Sequence, residues 1–376
     1  MIGPTHLLIF QANPFCNLDC SYCYLPDRAN YSIIPMEVVD RTADRLIEAD
    51  LLGEHTSVLW HAGEPMVVPQ AFYRRAIGIL SAKLGSRTTL HNALQTNATL
   101  IDHEWCHFLK EHCFDIGVSL DGPVEYHDDP RRFRSGRGSH AATMAGIGML
   151  KQHGIPFGVI CVLTQRSLAN PEPIIDFLLS IGAESIGFNV EESEGCHVSR
   201  LYESLGLIDR FRFFVDLLWR KAQGSPVRIR EFESVRRSIL RTAPTPVNDQ
   251  AAPFQIVSVD VKGGLATFSP ELLTTSNVGG FGTFVLGNVL DASIAEMIAS
   301  EKYGRLAADI STGVSQCLRS CAYYRFCGGG APSNKLAEHG SATVTATMHC
   351  KLIIQQVAEA VVSGYENIHG NESAMQ

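Results

Sequence analysis

Three cysteines in the spacing C-x3-C-x2-C, Cys16, Cys20 and Cys23, directly follow the apolar run Leu7-Leu-Ile-Phe10. A strand must deliver this loop, and the loop must gather three sulfurs at its end. Thiolates so closely spaced in a reduced protein point to metal ligation, and soft sulfur favours iron–sulfur clusters or zinc. A closed zinc site or a fully ligated cubane would need a fourth protein ligand. None is near: His6 lies upstream in the apolar run and the next histidine is His55. Three ligands on a four-iron cluster leave one iron open to a small molecule.

Cysteine usage elsewhere agrees. The chain has eleven, an odd count, and at 376 residues it is too large to need disulfide stapling. Seven of the eleven fall into two groups, which suits ligation in a reducing compartment. A formal net charge of −8 without a long basic run excludes general nucleic-acid binding. The start of the sequence shows no signal-peptide pattern, and no apolar stretch reaches the roughly 18 residues of a membrane span. These features predict a cytoplasmic protein with no membrane partner.

Short β-rich runs alternate with amphipathic stretches through the first half. Strands are predicted at 6–11, 56–60, 88–94, 115–120, 157–163 and 185–190, and helices at 35–52, 69–84, 102–112, 140–153 and 171–181. The alternation predicts an α/β fold, a partial (β/α)6 TIM-like barrel whose strand C-termini share one face. A long helix is expected over 200–222. The Pro/Thr-rich stretch 243–247 sets the expected division: barrel 1–223, linker 224–250, second domain 251–376. In that last part, short strands at 255–261 and 265–268 precede a second cysteine group and a helix at 351–365.

Further polar loops fall at predicted strand ends. Gly63-Glu-Pro65 offers close backbone approach and a carboxylate for an ammonium group. Gln95-Thr-Asn97 and Ser119-Leu-Asp121 follow the third and fourth strands. Arg131, Arg132, Arg134 and Arg137 form a lid-like stretch that could meet a carboxylate or peptide backbone. Glu191 and Glu192 are expected to face the cavity, and Glu194 to lie in a solvated turn. Cys106 and Cys161 read as small core residues. The second group is Cys317-x3-Cys321-x5-Cys327, followed by Gly328-Gly-Gly330, with Cys350 beyond. Its count suits one iron–sulfur cubane or one structural zinc.

Together these residues resemble radical S-adenosylmethionine (SAM) enzymes carrying a C-terminal SPASM or twitch domain. Cys16, Cys20 and Cys23 match that superfamily's cluster motif. Gly63, Glu64 and Pro65 are similar to its SAM amino-group loop, and Ser119 and Asp121 resemble its ribose-side contacts. The resemblance adds Asn97 and Arg131 on the SAM or substrate side. The pattern from Ser119 through His127 and Arg131 to Ser139 is similar to that of anaerobic sulfatase maturases and peptide-modifying relatives. No cysteine lies in 255–277, and Ala331 stands four after Cys327. The resemblance therefore implies two 4Fe–4S clusters: one binding SAM, and one auxiliary on Cys317, Cys321, Cys327 and Cys350.

A finer resemblance, carried by Phe188-Asn-Val-Glu-Glu192, Thr267-Phe-Ser-Pro-Glu271 and Gly328-Gly-Gly-Ala-Pro-Ser-Asn-Lys335, is to cyclophane-forming peptide maturases of the glycine-rich-repeat type. It implies SAM cleavage to methionine and 5′-deoxyadenosine, with hydrogen abstraction from an unactivated side-chain Cβ that then joins an aromatic ring. Glu271, Glu191 and Asp260 are the candidate bases. The implied partners are a precursor peptide and a reductant such as flavodoxin or ferredoxin. The alternatives are oxidation of a Cys or Ser as in sulfatase maturation, a thioether-forming peptide maturase and, remotely, a non-catalytic iron–sulfur electron-transfer protein.

Overall fold

The computed structural model of the chain describes residues 2–242, 246 and 248–374. Six parallel strands succeed one another: β1 (Thr5–Phe10), β2 (Leu52–Trp60), β3 (Thr89–Thr96), β4 (Asp115–Ser119), β5 (Phe157–Leu163) and β6 (Ser185–Val190). Each lies beside the last, as right-handed crossovers through helices require. The connecting helices start where the sequence predicts. Met36–Glu48 and Gln70–Leu84 follow prolines, and His103–Glu111 is capped by Asp102, whose carboxylate accepts from Trp105 N at 2.8 Å. β1 and β5 are apolar on both faces because helices and barrel interior cover them. Beneath the β2 end, Trp60 packs edge-on against Tyr73 at 5.2 Å, and both are fully buried.

Two expectations fail. The predicted helix over 200–222 is only Leu207–Ala222; Gly206, left-handed at φ 66, breaks the chain from the turn Leu201–Glu203. The stretch 224–242, predicted as linker, instead carries β7 (Arg228–Ile229), parallel to β6, and the helix Arg230–Leu240. Arg230 secures it by donating to Phe188 O and Asn189 Oδ1, each at 2.8 Å. Residues 243–245 and 247 of the proposed boundary lie outside the described residues.

The sheet does not stop at β1. β8 (Ile256–Val259) pairs parallel with the other edge of β1, β9 (Gly264–Thr267) pairs antiparallel with β8, and a hairpin of β10 (Ser276–Val278) and β11 (Phe281–Thr283) follows. β12 (Gly287–Asn288) closes the order β12-β9-β8-β1-β2-β3-β4-β5-β6-β7. The first cysteine group follows β1 within this ten-stranded sheet, and the second lies beyond β12 on helical segments. Among the described residues, no helix is long and apolar enough to cross a membrane.

Candidate functional site

The strand C-termini open onto a cavity of about 900 Å³, and both cysteine groups line it. Cys16, Cys20 and Cys23 come from the loop after β1. Gly63 and Glu64 follow β2, Asn97 follows β3, Ser119 ends β4, and Glu191, Glu192 and Glu194 follow β6. Cys317, Cys321, Cys327 and Cys350 line it from the C-terminal segment, and so does Glu271.

The first cysteine loop is held from both sides. Its chain accepts no Cβ at Gly63: one built there would stand 2.4 Å from Asn13 O and 2.7 Å from Phe15 O, at φ +72. Only glycine allows this contact. On the other side, Asp19 N and Ser21 N donate to Arg132 O and Pro130 O at 2.7 and 2.9 Å. Arg134 Nε donates to Cys16 O at 2.7 Å, and Arg131 Nη1 stands 4.0 Å from Cys20 Sγ. The arginine stretch therefore fastens the cysteine loop.

Two predicted ligand contacts are largely taken up within the protein. The Glu64 carboxylate is buried and accepts from Met66 N (3.0 Å) and Thr96 Oγ1 (2.7 Å) on Oε1 and from Asn97 N (2.8 Å) on Oε2, so it locks the β3 loop and leaves only part of Oε2 for a further donor. That oxygen and the Gly63 and Glu64 backbone are what remain for the cofactor side. Asp121, 3 % exposed, accepts from Arg131 Nε (2.9 Å), Tyr22 OH (2.5 Å) and Val162 N (2.9 Å). Both oxygens are spoken for, and it does not line the cavity. Pro65 is buried, its carbonyl accepting from Tyr73 OH at 2.7 Å. Ser119, hydrogen-bonded to Gln95 at 2.9 Å, and Asn97, whose amide donates to Asn17 at 2.8 Å, do face the cavity.

Among the candidate bases, Asp260 is a turn residue. Its Oδ1 accepts from Lys262 N and Gly264 N at 2.7 and 2.9 Å, away from the cavity. Glu191 pairs with His197 at 3.0 Å. Glu271, on the turn Pro270–Leu273, keeps Oε2 without a hydrogen-bond partner among the described residues. Burial, with Glu192 beside it, raises its carboxyl above the usual range. Glu194 is half-buried, with Gly195 and Cys196 exposed beside it, and lines the cavity. A bridge to His197 and the bond from Cys196 N to Tyr24 O (3.1 Å) fold it back onto the cysteine loop. There, burial and the nearby Glu271 push its carboxyl far upward.

Sequence reasoning missed the partners of Glu192: it accepts from Asn334 Nδ2 and pairs with His349 Nδ1 at 2.9 Å. The position of His349 directly before Cys350 was the available signal.

The thiols fit metal ligation. Burial pushes Cys16 up to about 12 and Cys20 and Cys327 up to about 11, so at neutral pH only a metal's charge would make them thiolates. Cys317 and Cys321 stand one turn apart, in the last turn and at the cap of the helix Glu301–Ser320. Gly328, Gly329 and Gly330, all at positive φ, wrap the chain back toward them. Among the described residues, no three His, Cys, Asp or Glu side chains group to hold a single metal ion. Cys106 and Cys161 are fully buried core residues, as expected.

Behind the site, His127 is fully buried. Its Nδ1 accepts from Asp121 N at 3.3 Å and its Nε2 pairs with Ser139 Oγ at 3.0 Å, which requires a neutral ring. Burial, with Arg131 near, lowers its pKa to about 3. Above about 6.5 the ring is neutral in both folded and unfolded chains, and its contribution is constant. Between 6.5 and about 3 the unfolded chain binds a proton that the folded one refuses, so stability falls toward acid, by ~1.4 kcal/mol per pH unit. Urea midpoints at pH 7.5 and pH 5 should therefore separate more in the native protein than in His127→Gln.

Comparison with known proteins places the chain. Residues 11–178 match the radical SAM superfamily. The chain is 38% identical over 374 residues to the uncharacterized protein sll1766 of Synechocystis sp., covering 98% of this chain and 94% of that one. It is 25% identical to a serine-type anaerobic sulfatase-maturating enzyme of Bacteroides thetaiotaomicron, over 89% of this chain and 84% of the other. Its fold matches that of native anSMEcpe with bound AdoMet and Cp18Cys peptide at a TM-score of 0.80 and 23% identity, covering 98% and 99% of the two chains.

Proposed function

The chain belongs to the radical SAM superfamily, and on that premise we propose that it is a maturase joining an aromatic ring to a side-chain Cβ of a ribosomally made precursor peptide, a cyclophane crosslink. The observation that carries this reading is the single cavity lined by both cysteine groups and by Glu271. Cys16, Cys20 and Cys23 would hold the SAM-binding cluster, Cys317, Cys321, Cys327 and Cys350 the auxiliary one, and SAM would lie along Gly63–Glu64, Asn97, Ser119 and Arg131. When bound, these groups supply reductive SAM cleavage, hydrogen-atom abstraction from an unactivated carbon, and an acceptor for one electron.

The protein's own residues do the rest. Glu271 takes the proton released as the ring regains aromaticity; it lines the same cavity as Tyr24 of the first cysteine loop and His349 beside Cys350. The bonds from Glu192 to Asn334 and His349 tie the β6 end to the C-terminal segment, so the peptide's two reacting carbons meet a fixed surface.

A second reading is favoured by the sulfatase-maturating relative: oxidation of a single Ser or Cys of a protein substrate. Tandem mass spectrometry separates the two. A short peptide encoded beside this gene would be co-expressed with the protein and, as control, with the triple Cys16→Ala, Cys20→Ala, Cys23→Ala variant. Loss of two hydrogens, with no backbone fragments between an aromatic residue and a later one, is the expected result. A mass loss with every fragment present would favour single-residue oxidation.

A further inference from the structure

The C-terminal cysteines share their pocket with a buried cation. Lys335, in the helix Pro332–His339, is 3% exposed, and its Nζ donates to Cys317 Sγ at 3.8 Å. Among the described residues, that sulfur is its only polar partner within hydrogen-bonding reach. One glycine makes room for the side chain. A Cβ on Gly313, in the helix that carries Cys317, would lie 2.9 Å from Nζ and 2.1 Å from Ala342 O, whereas Gly330 only borders it, 3.8 Å from Cε. The lysine thus threads between the ligand helix and the triple-glycine turn, with its head among the thiols.

A buried ammonium without an anion is costly, and proteins bury such a charge only against a partner. Among the described residues, no carboxylate supplies one here. The first cysteine group differs: of its nearby cations, Arg131 is paired with Asp121 at 2.9 Å and Arg28 with Asp19 at 2.8 Å, and Arg134 is exposed, so that solvent screens its charge.

We propose that Lys335 is the fixed counter-charge of the cluster held by Cys317, Cys321, Cys327 and Cys350, donating N–H to a ligand sulfur and raising that cluster's reduction potential. The inference rests on the reading that these four cysteines hold an iron–sulfur cluster. One-electron reduction adds one negative charge to a four-thiolate cluster, and an unpaired ammonium at a ligand sulfur favours the reduced form. Of the two sites, the second becomes the easier to reduce. It is thereby suited to take the electron left on the substrate when the ring loses its proton to Glu271.

The test is an EPR-monitored redox titration of the full chain, anaerobically reconstituted with iron and sulfide. Cys16, Cys20 and Cys23 are changed to Ala so that only the second site reports. Lys335→Met should move the midpoint negative by at least a tenfold change in the reduction equilibrium, about 59 mV for one electron. Lys335→Arg, which keeps the charge, should recover most of the difference. An unchanged midpoint in Lys335→Met, or an equal shift in Lys335→Arg, would overturn the proposal.

If Lys335→Met holds no iron, Lys335→Gln is read in its place. Loss of the cluster from both neutral variants, with retention in Lys335→Arg, supports the counter-charge role directly. If the parent with Lys335 intact binds zinc or no iron and sulfide, the cluster reading itself fails and takes the inference with it. That outcome is visible before residue 335 is touched.

Discussion

Replacing Glu271 with Gln is expected to lower peptide modification by about 10²–10⁴-fold, the usual contribution of a positioned general base, while SAM is still cleaved. The amide keeps the shape of the carboxylate but cannot take a proton. Glu271 suits the role because Oε2 has no partner among the described residues, while the other two candidate bases and Glu192 are engaged: Glu192 with Asn334 and His349, Glu191 with His197, Asp260 with its own turn. Its raised carboxyl gives a sign for pH. The base form gains population as pH climbs through the raised value, so modification should accelerate from acid toward neutral. The measurement is 5′-deoxyadenosine by chromatography alongside product by mass. Modification at more than half the native rate in Glu271→Gln would remove this residue from the mechanism.

Arg131→Leu should cost about 3–5 kcal/mol of stability, as breaking a buried ion pair from one side does. Asp121 would be left charged, 3% exposed, with only Tyr22 OH and Val162 N to hold it. Tyr22 would also lose the guanidinium over its ring, 5.5 Å from the centroid. Lys at this position restores the charge but not the planar fork, so Arg131→Lys should fall between. Urea unfolding of the metal-free protein isolates the effect, because no cluster then contributes. A midpoint within error of the native one would show that the pair is dispensable.

What was legible in the sequence was local. The cysteine spacings, the β1 to β6 runs and the glycine at position 63 each declare themselves within a few residues. The fates of Glu64 and Asp121 did not. Both are acids at a strand end, and only donors brought from elsewhere, Thr96 to one and Arg131 with Val162 to the other, decide that they face inward. Glu194 reads as a turn residue until Tyr24 is folded against it. The contact between Glu192 and Asn334 spans 142 residues, and no periodicity records it. The short β7 and its helix were hidden because a two-residue strand has no pattern to detect.

The shared edge of β1 has a consequence for how the molecule is made. β1 leaves the ribosome well before β8, the strand that covers its outer edge, and the bond from Thr5 Oγ1 to Phe254 O spans 249 residues. At about 5–20 residues per second, that partner arrives roughly 12–50 s later. Through that interval an apolar strand, Leu7 to Phe10, presents unpaired amides and carbonyls to every neighbouring nascent chain. Chains halted before residue 256 should therefore collect in the insoluble fraction, and yield of the intact protein should track chaperone supply and slow, cool synthesis.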